Sequence, residues 1–174
     1  MLIKILIYGG LGNQLFQLAF GESLKITHNN INIKYIDLTK YAYTKRKWEL
    51  GFLNIKPFNI SKREIFSIFF KRFINTKLNK FNSNFLYFGI INEKQYKYIQ
   101  NCLEKNRNFI LDGYWQSEKY FNDNKFYIKT FLNSKNKNFS TKNRDSKNQK
   151  VAVHIRLGDY NNTFEGKKNH LVCN

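Results

Sequence analysis

The chain opens on an apolar run, Leu2 to Tyr8, interrupted only by Lys4. A run of this kind predicts a parallel strand covered on both faces, because neither face alternates with solvent. Gly9-Gly10-Leu11-Gly12 follows, and from about Asn13 to Lys25 a helical pattern offers Leu15, Phe16, Leu18, Ala19 and Leu24 to a core. Ile31 to Leu38 alternates as a second strand. Together these segments predict a βαβ unit with a glycine-rich turn at the carboxyl end of its first strand.

Further along, Ile60 to Phe81 predicts a basic amphipathic helix with Ile65, Phe66, Phe69, Phe70 and Phe73 on one face and Arg63, Lys71 and Arg72 elsewhere. Two readings compete for the aromatic face: packing against the core, or lying on a membrane surface. Phe109 to Tyr114 predicts another strand, and Ser117 to Phe121 the start of a helix. Residues 133–150 lose nearly all apolar character and become Lys-, Asn- and Ser-rich, the pattern of a linker. A last strand is predicted from Val151 to Leu157, where Val151, Val153 and Ile155 are β-branched and the run ends at Gly158. The organisation expected is therefore an α/β domain over 1–132, a basic linker over 133–150, and the first strand and loop of a further domain over 151–174. The alternative is that the last strand completes the first sheet.

With 174 residues, 42% hydrophobic and 17% aromatic, most of the chain is able to fold around a core. The formal net charge of +18 admits three explanations: a nucleic-acid surface, an anionic membrane surface, or a Lys/Asn/Ile-biased composition whose lysines are mostly solvated. The spread of Asn and Ile along the whole chain favours the third, and no nucleic-acid-binding motif accompanies the charge. Cys102 and Cys173 are far apart with no metal-like spacing to a histidine, so they read as buried thiols in a reducing compartment. Met1 leads straight into a strand with no cleavage site, and no apolar run is long enough to span a bilayer. A cytoplasmic location is expected, with peripheral contact at the inner membrane as an option.

Three constellations carry candidate chemistry. In Gly9-Gly10-Leu11-Gly12-Asn13-Gln14, glycines between strand and helix let a ligand approach the backbone, and the helix start offers unpaired N–H groups. Gly10 and Gly12 would give the approach, with Asn13 and Gln14 as amide partners for sugar or phosphate. The plainer reading is a tight turn capped by Asn13. The dinucleotide fingerprint is absent, since the third glycine is missing.

In His154-Ile155-Arg156-Leu157-Gly158-Asp159-Tyr160, alternation puts His154, Arg156 and Gly158 on one side of an extended segment. A guanidinium delivered by an apolar strand to a crevice calls for an anion, and its planar fork matches a diphosphate. A structural Arg156–Asp159 ion pair is the plainer reading. In Asp112-Gly113-Tyr114-Trp115-Gln116-Ser117, Asp112, Trp115 and Gln116 suit a sugar, although an aromatic strand packed under a helix explains the segment equally well. The sequence holds no Asp-x-Asp pair for a metal-bound diphosphate, no P-loop, and no paired His or Cys set for zinc.

Three segments, Gly9–Gln17, Gly113–Phe121 and Val153–Tyr160, resemble bacterial α-1,2-fucosyltransferases of glycosyltransferase family 11, in that family's order, and His170-Leu171-Val172-Cys173 resembles the stretch that follows. The resemblance covers the N-terminal half to two-thirds of the family. It implies a two-domain GT-B-like architecture of Rossmann-type units. It also implies inverting transfer of L-fucose from GDP-fucose to the 2-hydroxyl of a terminal galactose in a surface glycan, with no cofactor and no essential metal. Carried onto this chain, Arg156 would neutralise charge developing on GDP, His154 and Asp159 would support it or touch the donor, and Asn13 would face the cleft. Gly158 permits the turn beside them. Because most of the donor half is missing from the resemblance, weak or no turnover is expected of these 174 residues alone. The competing expectation is a basic, non-enzymatic module binding anionic membrane or nucleic acid.

Overall fold

The computed structural model describes residues 1–42, 45–78, 89–93, 98–100, 103 and 108–135. The chain divides into two units, Met1–Phe139 and Ser140–Asn174, and all described residues fall in the first. That unit is an α/β fold of Rossmann-like type. Strands β1 (Leu2–Ile7), β2 (Asn32–Asp37), β3 (Ile90–Asn92) and β4 (Phe109–Asp112) form one parallel sheet in the order β2-β1-β4-β3. Helices α1 (Leu11–Thr27), α2 (Lys62–Leu78) and α3 (Lys125–Lys135) complete the regular structure, with short 3₁₀ turns at Leu50–Leu53, Glu118–Tyr120 and Asn122–Asn124.

Strand alternation sorts the side chains into two cores. Ile3, Ile5 and Ile7 of β1, Tyr35 of β2, Ile91 of β3, and Phe109 and Leu111 of β4 share one face with Leu18, Phe20 and Leu24 of α1. Leu6, Ile36, Ile90 and Ile110 share the other with Ile68 of α2. Helices on both faces of a parallel sheet explain why β1 and β4 read as continuous apolar runs.

Helix α1 begins at Leu11, two residues earlier than the apolar pattern suggests, with Gly10 as its N-cap. Asn13 is therefore inside the first turn and does not cap it. The strand expected to reach Tyr114 ends at Asp112, and Ser117 precedes a 3₁₀ turn without capping it by its side chain. Helix α3 continues to Lys135, past the boundary expected at 132. The rest of the expected linker and the 151–174 segment lie outside the described residues.

Helix α2 splits the aromatic face for which core packing and surface exposure competed: Ile65 and Phe69 are half-buried, and the other three rings turn outward. Phe66, Phe70 and Phe73 are 72%, 57% and 61% exposed, while Ile68 and Asn75 are buried. Ion pairs select this rotation. Glu64 binds Lys4 in the middle of β1, and Arg72 binds Asp112 at the carboxyl end of β4. These anchors bring Arg72, two turns after Glu64, to the carboxyl end of β4.

Candidate functional site

The residues just past the carboxyl ends of β1 and β4 meet at the middle of the sheet, where open α/β folds bind ligands. Gly9 turns the chain with φ at +82°, and a Cβ there would stand 2.6 Å from Asn13 Nδ2 and 3.0 Å from Tyr114 Cε1. Gly113 allows an equally close approach on the β4 side, since a Cβ would meet Glu93 Cβ at 2.5 Å. These two positions require glycine. At Gly10 and Gly12 a Cβ would meet nothing within 4 Å. Gly10 supplies no side-chain cap, so the start of α1 presents N–H groups beside open space, a setting suited to an anion.

Asn13 and Gln116 join the two loops: Gln116 Nε2 donates to Asn13 Oδ1 at 2.7 Å. Gln116 is exposed and Asn13 half-buried, so this amide pair lies at the surface of the turn. Gln14, adjacent in sequence, is fully buried. Its Nε2 donates to the carbonyls of Gly9 (2.9 Å) and Lys47 (2.8 Å), and its Oε1 accepts from Glu49 N (3.0 Å). Its amide is committed to bracing the glycine turn against residues 47–49, which leaves it a structural part rather than a ligand contact. Gln17 is a second brace, donating to Gly113 O at 2.9 Å and accepting from Tyr8 N at 3.1 Å.

Trp115 is fully buried, with ring centroids 4.6 Å from Phe20 and 5.2 Å from Tyr120. Its ring faces are occupied by the core, so in this arrangement it does not present a stacking surface to a sugar. Its φ of +55° is uncommon for a bulky residue and costs on the order of 1–3 kcal/mol. Glu93 holds the strained peptide by accepting from Trp115 N at 2.6 Å. The second oxygen of that carboxylate, Oε1, is buried and has no hydrogen bond among the described residues.

On the opposite sheet face, three side chains converge on the buried carboxylate of Asp112. Arg72 Nε donates to Oδ2 at 2.8 Å, Tyr8 Oη to Oδ1 at 3.1 Å, and Asn92 Nδ2 to Oδ2 at 3.3 Å. Burial pushes the Asp112 carboxyl above its ordinary value, against the pull of the Arg72 charge and the bonds from Tyr8 and Arg72. Burial, and then the neighbouring Asp112, likewise pushes the Tyr8 phenol up. The Arg72 guanidinium lies 5.6 Å from the centre of the Tyr8 ring, with 30% of its side chain exposed. The site thus has a polar lining of amides on one side, and a charged, mostly desolvated cluster on the other.

Two of the three sequence constellations are therefore neighbours in space. The third, with His154, Arg156, Gly158 and Asp159, lies outside the described residues. Reading the sequence did not single out Tyr8, Gln17, Asn92 or Glu93, and it set Arg72 apart from the core face. The available signal was position: Tyr8, Asp112 and the pair Asn92-Glu93 are the first polar side chains after apolar strands, at the end where ligands bind. Among the described residues no group of three or more His, Cys, Asp or Glu side chains could hold a metal ion, and no helix is long and apolar enough to cross a membrane. A cleft of about 400 Å³ opens at the far end of α1, lined by Thr27, Tyr98, Lys119 and Asn124 among others. Its lining on α1, from Phe20 to Thr27, lies roughly 15–25 Å along the helix from the glycine turn at about 1.5 Å per residue.

No protein-family model matches the chain, and no solved structure gives a significant match. The chain is similar to an alpha-1,2-colitosyltransferase of Escherichia coli, with 35% identity over 172 residues. That similarity takes in 95% of this chain but 57% of the relative, so the chain spans less than two thirds of that protein's length.

Proposed function

We propose that this chain belongs to an inverting α-1,2-glycosyltransferase that moves a sugar from a GDP-activated donor to a galactose-terminated glycan. The similarity to the alpha-1,2-colitosyltransferase over 95% of the chain carries the reading. The three segments that resemble α-1,2-fucosyltransferases point to the same linkage, and on that resemblance the donor is GDP-fucose. GDP-colitose is the second reading, favoured by the name of the relative.

In this reaction the galactose 2-hydroxyl oxygen attacks the anomeric carbon of the donor. The bond from that carbon to the diphosphate oxygen breaks, GDP leaves with the electron pair, and the hydroxyl proton passes to a base. Arg156 is assigned to the charge that grows on the diphosphate, where a preformed donor counts most because charge develops in the transition state. His154 and Asp159 are assigned to support Arg156 or to touch the donor, and Gly158 to the turn. Within the first unit, the open backbone at Gly10 and Gly12 and the amides of Asn13 and Gln116 are assigned to donor or acceptor oxygens. No metal or other cofactor is included in the proposal.

The test is transfer by the protein carrying this chain, supplied with GDP-fucose or GDP-colitose and a β-galactoside, with the product linkage read by NMR. The expected product is a 1,2-linked sugar of inverted anomeric configuration, and the better donor decides between the two readings. Retention of configuration, or no transfer from any GDP-sugar, overturns the proposal.

A further inference from the structure

Helix α2 turns Glu64, Arg72 and Asn75 inward and Phe66, Phe70 and Phe73 outward. Glu64 and Arg72 bind residues of the sheet, and Ile68 and Asn75 are buried. Phe66, Phe70 and Phe73 recur at i, i+4 and i+7, which puts them in one stripe, on the side away from Ile68 at 3.6 residues per turn. The stripe is bordered by Lys62, Arg63 and Lys77, all exposed, and Lys77 Nζ stands 5.6 Å from the centre of the Phe73 ring. Glu64 is the one acidic residue in α2, and it is engaged by Lys4 on the inner side. The outward stripe therefore joins three large aromatic rings to positive charge alone.

We infer that this face of α2 docks onto an anionic lipid surface. Charge complementarity selects that occupant: the chain carries a net +18, and the stripe adds lysine and arginine without a carboxylate. A second copy of the same face would bring Lys62, Arg63 and Lys77 against their own kind. Basic residues beside aromatic rings are what hold a helix in the interfacial plane, with the rings at headgroup depth and the cations on acidic lipids. Because α2 is about 10–12 Å across, docking would hold Arg72 and Asp112 within roughly one helix diameter of the lipid. The inference is independent of the proposed transferase activity.

The experiment is co-sedimentation of the chain with vesicles of phosphatidylcholine alone and with 30% phosphatidylglycerol, at about 0.1 M and 0.5 M salt. Expected is binding to the anionic vesicles at least about tenfold tighter than to the neutral ones, weakened by salt. Phe66→Ser/Phe70→Ser/Phe73→Ser and Lys62→Gln/Arg63→Gln/Lys77→Gln should each reduce it about tenfold or more, with thermal melts confirming that both variants fold. Binding that survives both triple substitutions overturns the inference. So does self-association that the phenylalanine variant abolishes while the vesicles bind nothing.

Discussion

The Gln116 amide donates to Asn13 Oδ1 at 2.7 Å, across 103 residues of sequence. This one bond ties the loop after β4 to the first turn of α1 at the surface of the candidate site. Asn13→Ala and Gln116→Ala are each expected to cost about 0.5–1.5 kcal/mol, the usual range for one hydrogen bond. In a double-mutant cycle the two losses should fall short of additive, since the second substitution removes a bond already gone. Fully additive losses in urea unfolding would mean that the amides do not act on each other.

The glycines of the turn should separate into two kinds. Gly9→Ala puts a Cβ at positive φ and within 2.6 Å of the Asn13 amide, and is expected to destabilise the chain by about 1–3 kcal/mol. Gly12→Ala enters open space inside a helix and should stabilise it, by up to about 1 kcal/mol. If the turn receives a ligand, Gly12→Ala should nevertheless weaken GDP-sugar use. Denaturant midpoints and transfer rates on the same two variants check both halves.

Asp112 gives a pH dependence with a defined sign. Its carboxyl is raised above the ordinary 3.8 by burial, so the folded chain holds the proton more tightly than the unfolded chain. Such a group contributes stability that is complete below the unfolded value and is lost as pH rises through the folded one. Asp112→Asn removes that titration and adds a pH-independent offset from exchanging a carboxyl for an amide. The stability of the original chain relative to the variant should thus decline from pH 4 upward, as measured by urea unfolding across pH 4 to 8. A difference that grows with pH would show that Arg72 outweighs burial.

Arg156→Ala should lower glycosyl transfer by about 10–100-fold, because a charge-assisted hydrogen bond contributes roughly 1.5–3 kcal/mol and each 1.4 is a tenfold change. Arg156→Lys should be almost as damaging, since the point charge survives but the two-pronged fork does not. Calorimetric titration of GDP into the same proteins reports the ground-state part of the loss. Near-normal transfer by Arg156→Lys would remove the diphosphate assignment.

The elements that read correctly from sequence are those whose signal is local. β1 and β4 are apolar on both faces, and the Gly9–Gly12 turn needs no distant partner to be recognised. The sequence left the orientation of α2 open between core and surface, because hydrophobicity alone does not decide which way Phe66, Phe70 and Phe73 turn. The real rotation depends on Lys4 and Asp112, which lie 60 and 40 residues away from their partners Glu64 and Arg72 or farther than any local window reaches. For Trp115, too, the sequence left sugar contact and core packing open, and the structure shows core packing. Its neighbours Gly113 and Gln116 do border the site, but its positive φ sends the ring into the core against Phe20. Gln14 looked like a ligand-facing amide, and Gln17 went unnoticed, because nothing in sequence reveals that main-chain groups of Lys47, Glu49 and Gly113 will engage them.

The central pairing of the sheet has a consequence for synthesis. β1 pairs with β2 along its whole length, but its other edge is closed only by β4, where Ile3 faces Phe109 about a hundred residues later. At 5–20 residues per second, a ribosome takes roughly 5–20 s to reach that strand. Through that interval the nascent β1–β2 pair carries a bare edge and uncovered isoleucines, a template for wrong strand addition. Chaperone dependence during translation should accordingly be high until Leu111 emerges, and chains stopped short of Phe109 should aggregate rather than persist as a half-built domain.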